Sequence, residues 1–270
     1  MHLVRKHWQS QIVVLYFLGF LIWWTLVTMG EQPGSIYHQS FAALYGLIAI
    51  WGGIWGLVAA KKWGGLSSIM GKALTAFSLG LFAQEFGQLS YSYYIYYLHQ
   101  EVPYPSIGDL GYFVSIPLYI IGTWHLLHAS GAKVSVRTLR NKVVAIIIPV
   151  VMLVASYAFF LKGYQIDSSQ PLKLFLDFGY PLGEAIYVSI ALLTYVLSRH
   201  SLGGIVRSRI IFILFAMFIQ YCADFMFLFQ AQYQTWYAGG VNDLVYFAAY
   251  VALSLALMEF DILGKKLAQK

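Results

Sequence analysis

The sequence predicts an all-α membrane protein: eight transmembrane helices in four tandem helical hairpins, with both termini cytoplasmic. Three observations predict it. First, 60% of the 270 residues are hydrophobic and only 10% are charged, against about 25% charged in an ordinary soluble domain. A chain so poor in charge cannot cover a water-facing surface. That excludes a cytosolic enzyme, a nucleic-acid-binding domain and a disordered regulator. Second, the apolar residues gather into eight runs, each near the roughly 20 residues that a spanning helix needs. Third, fifteen of the seventeen Lys and Arg residues fall on one side of an eight-helix serpentine.

The runs cover residues 11–29, 41–60, 71–97, 108–128, 143–161, 174–197, 208–230 and 241–260. Inside a bilayer an unpaired backbone group costs several kcal/mol, so spans are helices or closed barrels. These runs are too long for barrel strands and lack strict alternation, which leaves helices. The first run follows a basic start, as a signal peptide would. Trp23, Trp24 and the residues up to Gly30 offer no small-residue cleavage site, so it reads as a retained helix. Pro117 and Pro149 fall mid-span, where they are expected to kink their helices.

Basic residues set the orientation. Arg5 and Lys6 precede the first helix. Lys61, Lys62 and Lys72 lie between helices two and three. Lys133, Arg137, Arg140 and Lys142 lie between four and five, Arg199, Arg207 and Arg209 between six and seven, and Lys265, Lys266 and Lys270 follow the last. Only Lys162 and Lys173 fall on the other side. The expected setting is the cytoplasmic (inner) membrane, with residues 1–270 forming one polytopic domain and no soluble output domain. The formal net charge of +6 is then an orientation signal.

The chemistry gathers at the outer ends. Residues 105–113 read PSIGDLGYF, 180–188 YPLGEAIYV and 239–247 GGVNDLVYF. Each has an acid followed three residues later by a tyrosine: Asp109 and Tyr112, Glu184 and Tyr187, Asp243 and Tyr246. Helix two keeps only a remnant, Ala42 to Tyr45. Helices three and seven also match, with Gln84, Glu85 and Gln88 against Gln220 and Asp224. A helical hairpin repeated four times accounts for this. Helix capping is one sufficient explanation of an acid in a first turn, where the helix dipole favours it by about 0.3–1 kcal/mol. Ser106 and Asp109 have capping-box spacing.

Glu85 and Asp224 do not fit capping, because they sit inside their spans. Asp224 lies fifteen residues beyond Arg209, about 22 Å along the helix. A charge in hydrocarbon costs at least about 2.5–3.5 kcal/mol, so such residues face the bundle interior. Five acids (Glu85, Asp109, Glu184, Asp224 and Asp243) are therefore expected to converge on one outward-facing pocket with Gln88, Gln220, Tyr112, Tyr187 and Tyr246. A structural polar network joining helices fits the same residues.

Other chemistries find no residues. The single cysteine, Cys222, excludes an intrachain disulfide and a Cys-based metal site. His125 and His128 have metal- or haem-compatible spacing but no partner histidine on another helix, so no metal site is expected. No Ser-His-Asp set, phosphate-cradling loop or HExxH motif occurs, and no enzyme is expected. The last helix has no central lysine for a Schiff base, which disfavours retinal; no cofactor is expected.

The segment around Pro103, Pro105, Ser106, Asp109, Tyr112, Pro117 and Leu118 resembles a motif of bacterial multi-helix membrane input domains. These precede GGDEF diguanylate cyclase and histidine kinase modules. Tyr180 to Leu182 and Asn242-Asp243 are similar to later elements of such domains. The resemblance implies a sensory module that binds a small molecule at the outer face and signals to a membrane or cytoplasmic partner. No output module is expected within residues 1–270, a departure from the pattern that leaves open a stand-alone member and a truncated input module. Two further classes stay open: a transporter or channel for protons, cations or a small solute, and a scaffold subunit binding lipid, pigment or another membrane protein. Nucleic acid is not an expected partner.

Overall fold

A computed structural model describes residues 7–100, 102–130, 139–198 and 206–268. The basic residues Arg5, Lys6, Lys133, Arg137, Arg199 and Lys270 of the orientation argument lie outside the described residues, as do the side chains of Lys265 and Lys266. Every regular element described is helical. The α-helices are α1 (Trp8–Gly30), α2 (Ile36–Leu44), α3 (Leu47–Lys62), α4 (Ile69–Ser92), α5 (Ile107–Ala129), α6 (Leu139–Ser156), α7 (Pro171–Ser198), α8 (Arg207–Gln232) and α9 (Val241–Ala268). Short π-helical turns, Tyr93–Tyr97 and Tyr157–Leu161, extend α4 and α6.

Seven stretches among the described residues are long and apolar enough to cross a membrane, with α2 and α3 together making one of them. The chain is thus an all-helical, multi-pass membrane protein. The exception is α4, whose interior carries Gln84, Glu85 and Gln88, all buried.

The second apolar run is not the continuous helix expected. It breaks at Tyr45 and Gly46 into α2 and α3. A Cβ on Gly46 would lie 2.1 Å from Oε2 of Glu85, so a larger residue at the break would have to displace the Glu85 side chain of α4. By contrast, α5 and α6 run on through Pro117 and Pro149.

The helices pack as a closed ring in the order α3, α4, α5, α7, α8, α9 and back to α3. Three helices lie outside it: α1 rests chiefly on α9, α6 rests on α7, and the short α2 touches α1 and α4. The tandem-hairpin expectation therefore holds unevenly. The pairs α4–α5, α6–α7 and α8–α9 pack as neighbours, whereas α1 leans on the far end of the chain. Ring helices carry small residues that let backbones approach, as membrane interfaces favour: Gly52 meets Ser254, Gly56 meets Ser78, and Gly111 meets the α4 backbone. On α6, Ile146, Ile147, Val150, Val151 and Val154 are all exposed, as apolar side chains against lipid would be.

Candidate ligand-binding cavity

The ring encloses a cavity of about 1310 Å³ at one end. It is the end that carries Lys162 and Lys173, opposite the basic ends of α3, α4, α6 and α8. Its upper walls come from the Val102–Ser106 segment, the 162–170 connector and the 231–236 turn. Its floor is formed by Gln84, Ser115, Ile116, Tyr119 and Tyr250. Below the floor, Phe77, Val188, Ile213, Met217, Leu253 and Leu257 form a layer with no more than 1% of any side chain exposed. The cavity is thus closed toward the basic end.

Polar groups are organised in tiers. At the mouth, Asp177 accepts from the hydroxyls of Tyr104 at 2.7 Å and Tyr164 at 2.5 Å, which ties the 102–106 and 162–170 segments to α7. The bond to Asp177 pushes the Tyr164 hydroxyl up to about 12, since it favours the protonated phenol. Beside this pair, Asp109 caps α5, accepting from the backbone N–H of Ser106 at 2.7 Å. Its other oxygen accepts from Tyr180 on α7 at 2.9 Å. Capping and cavity lining are therefore both true of Asp109. Asp243 behaves similarly: it lies in the first turn of α9 and accepts from the backbone N–H of Gly239 at 2.6 Å. Gly239 has φ +78, and a Cβ there would stand 2.2 Å from the carbonyl of His38. This glycine is needed both for its left-handed backbone and for the close approach of α2.

Deeper, Asp224 accepts from Tyr187 at 2.6 Å and from Gln220 at 2.9 Å, and the Tyr246 hydroxyl lies within reach of the same carboxylate. Glu184 lines this tier too and is close enough to Asp224 for their charges to interact. It sits in the middle of α7, so helix capping does not account for it. Along the floor the hydrogen bonds chain together. Tyr250 donates to Gln84 at 3.0 Å, and Gln84 donates to Ser115 at 2.8 Å. Tyr112 donates to Gln88 at 3.0 Å, and Gln88 donates to the carbonyl of Ala42 at 2.6 Å.

Of the ten residues singled out from sequence, Gln88, Asp109, Tyr112, Glu184, Asp224, Asp243 and Tyr246 line the cavity. Tyr187 and Gln220 stand behind Asp224 and hold it rather than facing the space. Glu85 corrects the expectation of five converging acids. It is buried, but it is absent from the cavity wall and faces the α2–α3 break at Gly46, with both oxygens lacking hydrogen-bond partners. One residue along a helix is about 100° of rotation. With Gln84 and Gln88 facing α5 and the cavity, Glu85 must face α3.

The acid–Tyr spacing has a different use from a local pair. Tyr112 bonds to Gln88, and Tyr187 to Asp224, so each tyrosine reaches a neighbouring helix. The site residues read from the sequence left out Asp177, Tyr104, Tyr164, Tyr180, Trp236 and Asn242. A signal for the first existed: Asp177, Tyr180 and Glu184 share one face of α7 at i, i+3 and i+7.

Three buried polar atoms on the cavity wall have no hydrogen-bond partner: Asn242 Oδ1, the Tyr119 hydroxyl and Trp236 Nε1. Asn242 and Tyr119 are each 1% exposed. A buried polar group left unpaired costs roughly 1–3 kcal/mol. Their presence on an open cavity marks a place where something else completes the bonding.

Comparison with protein-family models, with curated proteins and with solved structures finds no match.

Proposed function

We propose that the chain is an eight-span sensory module that binds a small molecule from the outer face of the bacterial inner membrane and passes a shift in packing to the cytoplasmic side. The observation that carries this reading is the one-ended cavity, with unpartnered Asn242 and Tyr119 atoms on its wall and a packed apolar layer beneath it. An open channel needs a continuous path through the protein, and that layer offers none.

The eighth span is α4. Its 24 residues extend about 36 Å, and its polar side chains turn into the ring, where they do not meet lipid. The signal route is α9. One end carries Asp243, Tyr246 and Tyr250 on the cavity wall. The other carries Glu259 and Asp261, paired with Arg209 and Lys62. A ligand that favours one packing of α9 over another shifts the population between them, and those two ion pairs are the contacts it would rearrange. The resemblance of the 102–118 segment to bacterial input domains supports the same reading.

Two measurements test it. Reporter fusions at Ala132 and Gln269 should read cytoplasmic and one at Gln234 external; an external reading at Gln269 removes the eight-span topology. Purified protein should be stabilised against heat by a member of a broad metabolite panel, by about 2.7 kcal/mol at a hundredfold excess over Kd. Liposomes holding the protein should show no solute or proton flux. Flux that disappears in the Asp224→Asn variant would make it a transporter.

A further inference from the structure

The chemistry of the cavity wall narrows the ligand class, and this step rests on the ligand-binding reading above. A tyrosine hydroxyl has one hydrogen to donate and lone pairs to accept with. Around this cavity five of those hydrogens are already committed, while that of Tyr119 is not. Tyr104 and Tyr164 donate to Asp177, Tyr180 to Asp109, Tyr112 to Gln88, and Tyr250 to Gln84. What these rings still offer is acceptor lone pairs and π-faces. Asn242 repeats the pattern: its Nδ2 donates to the Ala223 carbonyl at 2.8 Å, which leaves buried Oδ1 as an unused acceptor on the wall. Asp109, Asp177, Glu184, Asp224 and Asp243 line the same space. The ion pairs among the described residues, Lys62–Asp261 and Arg209–Glu259, involve none of them. Lys162 and Lys173 stand on the 162–170 connector and the start of α7, at the mouth.

We infer that the cavity binds an organic amine in its ammonium form, a ligand whose positive charge and N–H donors match the five carboxylates that line the space. Carboxylates and the Asn242 oxygen accept from the ammonium group, and the aromatic faces attract it through their quadrupoles. The carboxylates fall in two tiers. Asp177 and Glu184 are seven residues apart on α7, about 10 Å along the helix. An elongated di- or polyamine reaches both tiers at once, while a monoamine reaches one.

The test uses the full chain in nanodiscs and three probes of equal carbon length: putrescine, its neutral isostere 1,4-butanediol, and the dianion succinate. Spermidine serves as the longer amine. Binding is read by calorimetry and by thermal stability. Putrescine and spermidine should bind, with spermidine tighter, and the other two should not. Glu184→Gln with Asp224→Asn should weaken spermidine at least tenfold while the melting transition stays cooperative. If that double variant does not fold, Asp177→Asn at the mouth should weaken spermidine more than putrescine. Amine binding that these variants leave unchanged overturns the inference, and so does equal binding of butanediol or succinate. If the amines fail while a neutral or anionic metabolite binds, the amine assignment falls and the ligand-binding reading stands. If nothing in either panel binds, both fall.

Discussion

Replacing Asp224 by leucine should destabilise the protein by about 2–4 kcal/mol, because two buried donors then have nothing to meet. Tyr187 and Gln220 are 0% and 1% exposed, and both give their hydrogen bonds to this one carboxylate. Water cannot reach them to compensate. Leucine keeps the branched shape, in a bulkier form, but accepts nothing. Asp224→Asn keeps an acceptor oxygen for one donor and should cost less than half as much. Reversible unfolding in mixed micelles, followed by tryptophan fluorescence, gives both values. A leucine variant as stable as the parent would mean that the network contributes nothing to the fold, and that Tyr187 and Gln220 find other partners in the ring.

The second large effect is steric. Gly111 on α5 sits so close to α4 that a Cβ would stand 2.4 Å from the carbonyl oxygen of Ala83 and 2.7 Å from the backbone nitrogen of Gly87. Both are backbone atoms, so no side chain can swing aside. Gly111→Val must push the two helices apart at the closest packed crossing in the ring. Overpacking of this kind costs about 1–3 kcal/mol and sometimes more. The consequence reaches the cavity, because Tyr112 is the next residue and its ring lies over Gly87 to reach Gln88. The variant should therefore lose stability and ligand-induced stabilisation together. Gly19→Val is the control: nothing lies within 4 Å of a Cβ at Gly19, so it should melt close to the parent. If Gly111→Val and Gly19→Val melt together, α4 and α5 do not pack as closely as described.

The helices were legible in the sequence because their cause is local. A bilayer forces each apolar run to satisfy its own backbone hydrogen bonds, and length and composition are properties of the run itself. The separation of basic residues from the mid-span and first-turn acids is likewise fixed by counting along the chain. So was the interior position of Asp224, since a charge among apolar residues has nowhere else to go. The break at Gly46, the outlying places of α1 and α6, and the turn of Glu85 away from the cavity were decided only by tertiary packing. Each depends on which faces of distant helices can approach, and that is set by small residues such as Gly46, Gly52 and Gly111 meeting partners far off in sequence. The same holds for Asp177 and Asn242. Alone, each is a polar residue near a helix start. They become parts of a site because α7 and α9 close the ring around one space, a matter of side-chain volume across six helices, which no single run of the chain encodes.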